Sequence, residues 1–282
     1  MTALHRDDSA SLSEDDFNYI CQFVYKSAGI VLNASKREMV YRRLTRIVRE
    51  RKIGSFSEYC RLLRAQSEQE ESYFINAITT NLTSFFREQH HFDYLSQHEL
   101  PKLLETKKES KRIRIWSSAS STGEEPYSIA VTLLEALGTQ SSYWDAKILA
   151  TDIDSNVVAK GKAGVYSLKN VEDMPNNLKN KYFKKGRGEY ESQVRAENII
   201  KELITFKQLN LLDSWPMQGP FDIIFCRNVL IYFDKKTQSA LFERYYNLLA
   251  PGGLLLLGHS ESLGLYQQYF ENVGRTIFRK PF

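Results

Sequence analysis

The sequence predicts an α/β protein: a Rossmann-like, doubly wound, mostly parallel sheet, with an all-helical domain before it and a small antiparallel β-subdomain inserted into it. Three observations carry this expectation. Residues 1–80 show helical periodicity alone. From Arg112 onward, short apolar runs alternate with helical segments, the pattern of a parallel sheet wound with helices. Residues 163–202 then break the alternation with a polar stretch holding Gly164, Pro175, Gly186 and Gly188. That stretch is too long for a bare loop inside a compact domain. Residues 81–111 are read as a linker, and residues 112–282 as the sheet domain.

The helical domain opens at Ser13, which can cap a helix with Glu14, Asp15 and Asp16 in its first turn, where negative charge is favoured. Phe17, Ile20, Cys21 and Val24 follow at the spacing of one apolar face, and Gly29 supplies a stop. Ser35–Glu38 and Ser55–Glu58 read as capping boxes for a second and a third helix. A fourth runs through Tyr73, Phe74, Ile75 and Ile78. In the sheet domain, Ile113–Trp116, Lys147–Thr151, Leu203–Phe206 and Phe221–Cys226 read as strands. Helices are expected over Pro126–Leu137, residues 155–162 and Thr237–Leu249, the last stopped by Pro251-Gly252-Gly253. Leu254–Leu257 is a near-continuous apolar run, as a strand buried on both faces requires. Thr276–Phe278 is expected as an edge strand running the other way, and the insertion should hold a strand around Gln193–Arg195.

The chain has 282 residues, against about 150 for a typical domain, so one large or two modest domains fit. Lys and Arg total 38 against 34 Asp and Glu, a net charge of +4. Any affinity for nucleic acid or membrane must therefore come from local charge. Cys21, Cys60 and Cys226 are far apart and odd in number, which excludes a disulfide framework and suits a reducing compartment. No apolar run reaches the ~18 residues of a membrane span. The first residues, Met1 to Asp8, carry two acids and no apolar stretch, unlike a secretory signal. A cytoplasmic location is expected.

Candidate chemistry gathers where strands end. Trp116-Ser-Ser-Ala-Ser-Ser-Thr-Gly-Glu-Glu-Pro-Tyr-Ser128 is a strand, a loop of small residues and a helix start. Small side chains let a ligand approach the backbone, and helix-start N–H groups face it. Gly123 is the only glycine there, so a dinucleotide fingerprint fails. Glu124 and Glu125 suit a ligand with a positive centre better than a pyrophosphate. Asp152 ends the second strand, where a carboxylate can accept from both hydroxyls of a ribose; Asp154 or Ser155 can cap the next helix. Asn210 and Leu211 follow the third strand, where an amide and an apolar side chain could hold an adenine edge and face. Phe225-Cys-Arg-Asn-Val-Leu-Ile-Tyr-Phe-Asp234 follows the fourth. Thr80-Asn-Leu-Thr-Ser-Phe-Phe-Arg87 stands between helical domain and sheet, and its Phe85 and Phe86 suit an interdomain hinge. His90, His91 and His98 lie on a helix-like segment and make no convincing metal site. His259 follows a strand and receives no catalytic role.

Asn81-Leu-Thr-Ser-Phe-Phe-Arg87, Ser121-Thr-Gly-Glu-Glu-Pro-Tyr-Ser128, Phe221-Asp-Ile-Ile-Phe-Cys-Arg-Asn228 with Ile231-Tyr-Phe-Asp234, and Gly258-His-Ser-Glu261 stand in one order. Together they closely resemble the chemotaxis receptor glutamate methyltransferases, the CheR family, and the resemblance covers nearly the whole chain. It implies a class I methyltransferase sheet, with S-adenosylmethionine as methyl donor and S-adenosylhomocysteine as product. The implied acceptors are glutamate side chains of bacterial chemoreceptors, esterified for sensory adaptation. Cofactor contacts fall on Asn81, Thr83, Arg87, Glu125, Asp152, Asn210, Leu211, Arg227 and Asn228, with Glu125 toward the amino-acid portion and Asp152 toward the ribose. Arg87 and Tyr232 are the catalytic candidates, for orienting the acceptor carboxylate or the sulfonium end; Tyr232 matches a tyrosine near the transferred methyl. Ser118–Ser120 falls where the family loop varies and is unremarkable. Neither a metal, nor nucleic acid, nor membrane insertion is expected, and the enzyme is expected to be a monomer.

Two surfaces are candidates for the receptor. In the second helix, from Lys36 to about Arg51, Val40, Leu44 and Ile47 form an apolar stripe and Arg42, Arg46 and Arg49 lie opposite. Residues 36–64 hold ten Lys/Arg against three Glu, which would steer the acidic receptor helices that the resemblance implies. The insertion is also basic, with ten Lys/Arg against six acids over residues 160–202. Its Gly186-Arg187-Gly188 reads as a tight turn that bares N–H groups and one guanidinium. Relatives that use this subdomain capture an acidic receptor tail by adding it as a strand, which makes Arg187 the candidate there. Two other functions are weighed. A cofactor-binding regulator without transferase activity is argued against by Arg87 and Tyr232. A nucleic-acid methyltransferase would want an aromatic platform or a base-reading motif, and neither is seen.

Overall fold

In the computed structural model, which describes residues 11–65 and 67–282, Ser13 does open the first helix, α1 (Glu14–Ala28). Its hydroxyl accepts from the Asp16 N–H, and Gly29 ends the helix at φ 68°. The reading of Met1 to Asp8 lies outside the described residues. The second helix, α2 (Arg37–Glu50), is preceded by a 3-10 turn, Ala34–Lys36. Ser35 therefore sits inside that turn and caps nothing; its Oγ donates to Asn33 Oδ1 at 2.6 Å. The third, α3 (Phe56–Arg64), keeps half of its expected box. Ser55 accepts from the Glu58 N–H, but the Glu58 carboxylate accepts from Gly54 N–H at 2.9 Å. The fourth, α4 (Glu68–Ile78), brings Phe74 and Ile78 to the core formed by Val40, Leu44, Tyr59 and Leu63. Ile47 is only half-buried.

These helices belong to one compact unit, which ends at Thr80 and takes in Tyr232–Asp234. That returning segment is bonded into the unit. Tyr25 Oη donates to Asp234 Oδ2 at 2.6 Å, and the Val31 N–H donates to Tyr232 O at 2.9 Å.

The second unit comprises Asn81–Ile231 and Lys235–Phe282. It begins with α5 (His90–Tyr94), which passes through a π-helical turn, Leu95–Glu99, into α6 (Leu100–Thr106). Then β1 (Arg112–Ser117), α7 (Glu124–Leu137), β2 (Asp145–Asp152) and α8 (Ser155–Ala163) alternate. The insertion supplies β3 (Val165–Ser167), α9 (Asn176–Tyr182), β4 (Phe183–Lys185), β5 (Gln193–Ala196) and α10 (Asn198–Lys201). The main sheet resumes with β6 (Ile204–Gln208), β7 (Phe221–Cys226), α11 (Lys235–Leu248), β8 (Leu249–Leu257), β9 (Glu271–Gly274) and β10 (Ile277–Arg279).

The seven-stranded sheet has the order β6-β2-β1-β7-β8-β10-β9. Every pairing from β6 to β8 is parallel; the two made by β10 are antiparallel. The chain winds from β1 out to β2 and β6, then returns to the other side as β7 and β8. This reversal opens a crevice at the C-terminal ends of β1 and β7, where open α/β sheets take ligands. Both β7 and Leu254–Leu257 of β8 are buried, which is why Ile223–Cys226 and Leu254–Leu257 read as unbroken apolar runs.

Two expectations need correction here. Pro251-Gly252-Gly253 does not separate helix from strand, because β8 already begins at Leu249. The register instead jumps from Phe221–Leu249 to Ile223–Leu254, so the proline and glycines form an irregularity inside the strand, a place that tolerates them. Thr276–Phe278 is not the edge: β10 lies between β8 and β9, and β9 is outermost. Phe85 and Phe86, which the sequence offered for an interdomain hinge, pack within the sheet unit. The Phe85 ring stands 5.0 Å from that of Tyr166 and 5.2 Å from that of Phe183. The insertion forms its own three-stranded antiparallel sheet with β5 in the middle. Among the described residues no helix is long and apolar enough to cross a membrane.

Candidate functional site

The loop after β1 is stitched across the ends of its neighbours. The Ser118 N–H and Oγ both donate to Phe225 O, at 2.9 and 3.0 Å, and the Ser120 N–H donates to Thr151 O at 2.8 Å. Gly123 then starts α7 at φ 100°. A Cβ there would stand 2.7 Å from Tyr166 Oη and 2.9 Å from Gly161 Cα. Close approach and positive φ thus both demand glycine. Ser118 and Ser120 are more than a variable loop: one fastens it, and the hydroxyl of the other is buried without a partner.

Asp152 ends β2 as the sequence predicts. Its Oδ2 accepts from the Ser121 N–H at 2.8 Å and its Oδ1 from the Asp154 N–H at 3.0 Å. Each oxygen keeps a second lone pair for a hydroxyl donor. The residue is 8% exposed, and burial pushes its pKa up to about 6. Asp154, rather than Ser155, caps α8. Asn81 Nδ2 donates to Asp154 Oδ2 at 2.8 Å, and Asn81 O accepts from Ser121 Oγ at 2.9 Å. Asn81 therefore sits beside the β1 loop and the end of β2. Thr83 is half-buried in the same segment. Arg87 closes that segment, its Nη1 donating to Leu82 O at 2.8 Å.

Glu125 and Arg227 meet at the crevice itself. Glu125 accepts from Ser117 Oγ at 2.7 Å and from Arg227 Nη1 at 2.8 Å. Its carboxylate is thus already paired, where the sequence suggested a bare acid at the helix start. Burial pushes its pKa above the usual carboxylate range, and Arg227 opposes that. Arg227 also donates to Arg87 O and stands 3.5 Å from Glu88 Oε2, while its Nε is buried without a partner.

Glu88 was missed by sequence reasoning. Its Oε1 accepts from the His259 N–H at 3.3 Å and from Asn228 Nδ2 at 3.4 Å, and lies 3.0 Å from His259 Nδ1. Burial works against its ionisation, but His259 and Arg227 hold its pKa down to about 2. His91 is fully buried beside it, with Nδ1 3.7 Å from Glu88 Oε2 and Nε2 3.0 Å from Thr276 Oγ1. Burial and the Arg227 charge bring His91 down to about 3. Potential ligand atoms of Glu88, His90 and His91 fall within 4.8 Å of one another, yet the Arg227 guanidinium beside Glu88 opposes a second cation there. His98 is exposed.

The chain after β7 turns sharply at Asn228, φ 57°. Glu261 makes that turn possible: its carboxylate accepts from the N–H groups of Asn228, Val229, Leu230 and Gly258 at 2.7 to 2.9 Å. On the other side of the sheet, the Leu209 N–H donates to Asp152 O at 2.9 Å, which fastens the loop after β6 next to Asp152. Asn210 Oδ1 accepts from the Leu212 N–H at 3.1 Å, so its side chain shapes this loop, and Leu211 is buried.

The remaining candidates belong to the helical unit or to the insertion. Tyr232 is grouped with the helical unit. Arg42, Arg46 and Arg49 are exposed on α2. Arg42 lies 3.6 Å from Glu38 and Arg46 2.8 Å from Glu50, so the positive face is partly compensated and Arg49 is its least screened member. Arg187 is exposed between β4 and β5, and Gly188 there has φ 59°. The turn is less bare than expected, because the Gly186 N–H donates to Gln193 O at 2.9 Å.

Residues 81–279 match the family model described as CheR methyltransferase, SAM binding domain, and residues 15–79 match CheR methyltransferase, all-alpha domain. The chemotaxis protein methyltransferase of Salmonella typhimurium is 43% identical over 95% of this chain and 91% of its own. That of Escherichia coli is 42% identical over 98% and 94%. Chemotaxis protein methyltransferase 2 of Pseudomonas aeruginosa is 44% identical over 94% and 93%.

Proposed function

Because this chain belongs to the CheR methyltransferase family, whose members transfer methyl groups from S-adenosylmethionine in chemotaxis, we propose that it esterifies glutamate side chains of bacterial chemoreceptors in the cytoplasm. The observation that carries this reading is the gathering of Asp152, the β1 loop, the Glu125–Arg227 pair and the Asn210 loop at adjacent strand ends, joined by backbone and side-chain hydrogen bonds.

These residues fit the donor. Asp152 has acceptor capacity left for ribose hydroxyls, and the buried Ser120 Oγ and Arg227 Nε have no partner in the protein. Asn81, Thr83, Arg87, Asn210, Leu211 and Asn228 complete the proposed binding set. When bound, S-adenosylmethionine supplies a methyl group on a positively charged sulfur. A solvated glutamate has a pKa near ~4.3, so the acceptor arrives ionised and no side chain need remove a proton. The task of the chain is to orient that carboxylate and strip its water, and Arg87 and Tyr232 are the residues we assign to it. The α2 face, with Arg42, Arg46 and Arg49, would steer an acidic receptor helix. The Arg187 turn would tether a receptor tail, raising the local concentration of enzyme near neighbouring methylation sites.

The test is incubation with receptor cytoplasmic fragments and methyl-labelled S-adenosylmethionine. Base-labile label on glutamates is expected; base-stable label, or label on nucleic acid, contradicts the reading. Replacing Asp152 by Asn should weaken S-adenosylhomocysteine binding by ~1.5–3 kcal/mol, the worth of a charged hydrogen bond, as read by calorimetry. Arg46→Glu with Arg49→Glu should slow receptor methylation and flatten its salt dependence, while Arg187→Glu should abolish only tail-peptide binding.

A further inference from the structure

Arg244, in the sheet unit, makes interactions that the sequence motifs do not explain. It projects from α11, half-buried, toward the loop after β6. Its Nη1 donates to Leu211 O at 2.6 Å and its Nη2 to Asp213 O. The guanidinium lies 3.8 Å over the ring of Trp215, whose Nε1 donates to the same Leu211 O at 3.2 Å. Trp215 in turn packs edge-on against Trp116 of β1, with ring centroids 4.7 Å apart, and lies 5.0 Å from Tyr245.

A planar guanidinium that grips two carbonyls of one turn fixes their spacing and direction, which a lysine cannot do. With those carbonyls held outward against α11, the Asn210 turn has little freedom left. Its own Asx bond sets one side, Arg244 the other, and Leu209 ties the base of the loop to Asp152. We infer that Arg244, stacked on Trp215, is a positioning residue that sets the donor and acceptor pattern with which the Asn210–Asp213 loop reads the nucleobase. This rests on the proposed function, in which Asn210 and Leu211 hold adenine. A site built to match a base edge rejects a base with the wrong donors because buried polar groups are then left unpaired; that rejection needs a loop that cannot adjust.

The experiment compares wild-type protein, Arg244→Met and Arg244→Lys for binding of S-adenosylhomocysteine and of its inosine counterpart, in which the adenine amino group is replaced by a carbonyl. Wild type should prefer the adenine form. Arg244→Met should bind S-adenosylhomocysteine about tenfold or more weakly, and its preference should collapse toward unity; Arg244→Lys should fall between. Thermal unfolding and circular dichroism confirm that the variants are folded at the assay temperature. A loss only of thermal stability, or an equal weakening toward both bases with the preference intact, overturns the inference and leaves the proposed function standing. Wild-type protein that binds neither compound overturns both.

Discussion

Asp152 shows how burial and chemistry pull on a single residue. An ordinary aspartate titrates near 3.8, and burial pushes this one to about 6. Relative to the unfolded chain, folding therefore shifts it toward the protonated form. The stability so gained is fully present below the unfolded value and lost as pH rises through the folded one, a window of about two pH units and roughly 3 kcal/mol. Ribose hydroxyls act in the opposite sense, because donors favour the ionised carboxylate. Binding of S-adenosylhomocysteine should therefore release a fraction of a proton near pH 6 and tighten between pH 5 and 7. Calorimetry in buffers of different ionisation enthalpy reads that proton directly, and Asp152→Asn should abolish it. Equal apparent enthalpies in all buffers would count against Asp152 as the ribose ligand. The place of Asp152 was legible because a strand end followed by an acid is a local pattern. Glu88 was not: what makes it matter is Arg227 3.5 Å away and 139 positions along the chain, and no local pattern carries that.

At the scale of elements, helices and strands followed periodicity, and the departures share a cause in tertiary bonding. Ser35 has a capping residue's chemistry, but the chain tightened into a 3-10 turn first. Pro251-Gly252-Gly253 looks like a stop, yet strand pairing to β7 runs past it. The order of β9 and β10 depends on how the tail folds back, which no alternation of apolar residues encodes. Glu261 is the same lesson at a functional loop. One buried carboxylate collects four backbone N–H groups and so determines the path from Arg227 to Leu230. Leaving such donors unpaired costs about 1–3 kcal/mol each. Glu261→Ala should then lower the unfolding free energy by more than ~3 kcal/mol, with Glu261→Gln, which keeps one carbonyl oxygen, losing less. Urea unfolding is the measurement. Equal stability of Glu261→Ala and wild type would show that solvent or a shifted loop replaces the carboxylate.

The whole chain consists of two compact units, and the segment Tyr232–Asp234 belongs to the first although it lies deep in the sequence of the second. Nothing in the local sequence marks that exchange; it is fixed by bonds such as Val31 to Tyr232 and Tyr25 to Asp234. All the proposed cofactor contacts belong to the second unit. A ligand stabilises what it binds, by about 2.7 kcal/mol at a hundredfold excess over Kd. Amide hydrogen exchange with saturating S-adenosylhomocysteine should therefore slow by up to about a hundredfold in β1, β2 and β7, where exchange requires opening of the unit. The amides of α1 to α4 should keep their rates. Equal protection of both sets would mean that the helical unit opens only together with the sheet unit, and that the stability of the chain is a single cooperative quantity. Protection confined to α1–α4 would move the cofactor away from Asp152 altogether.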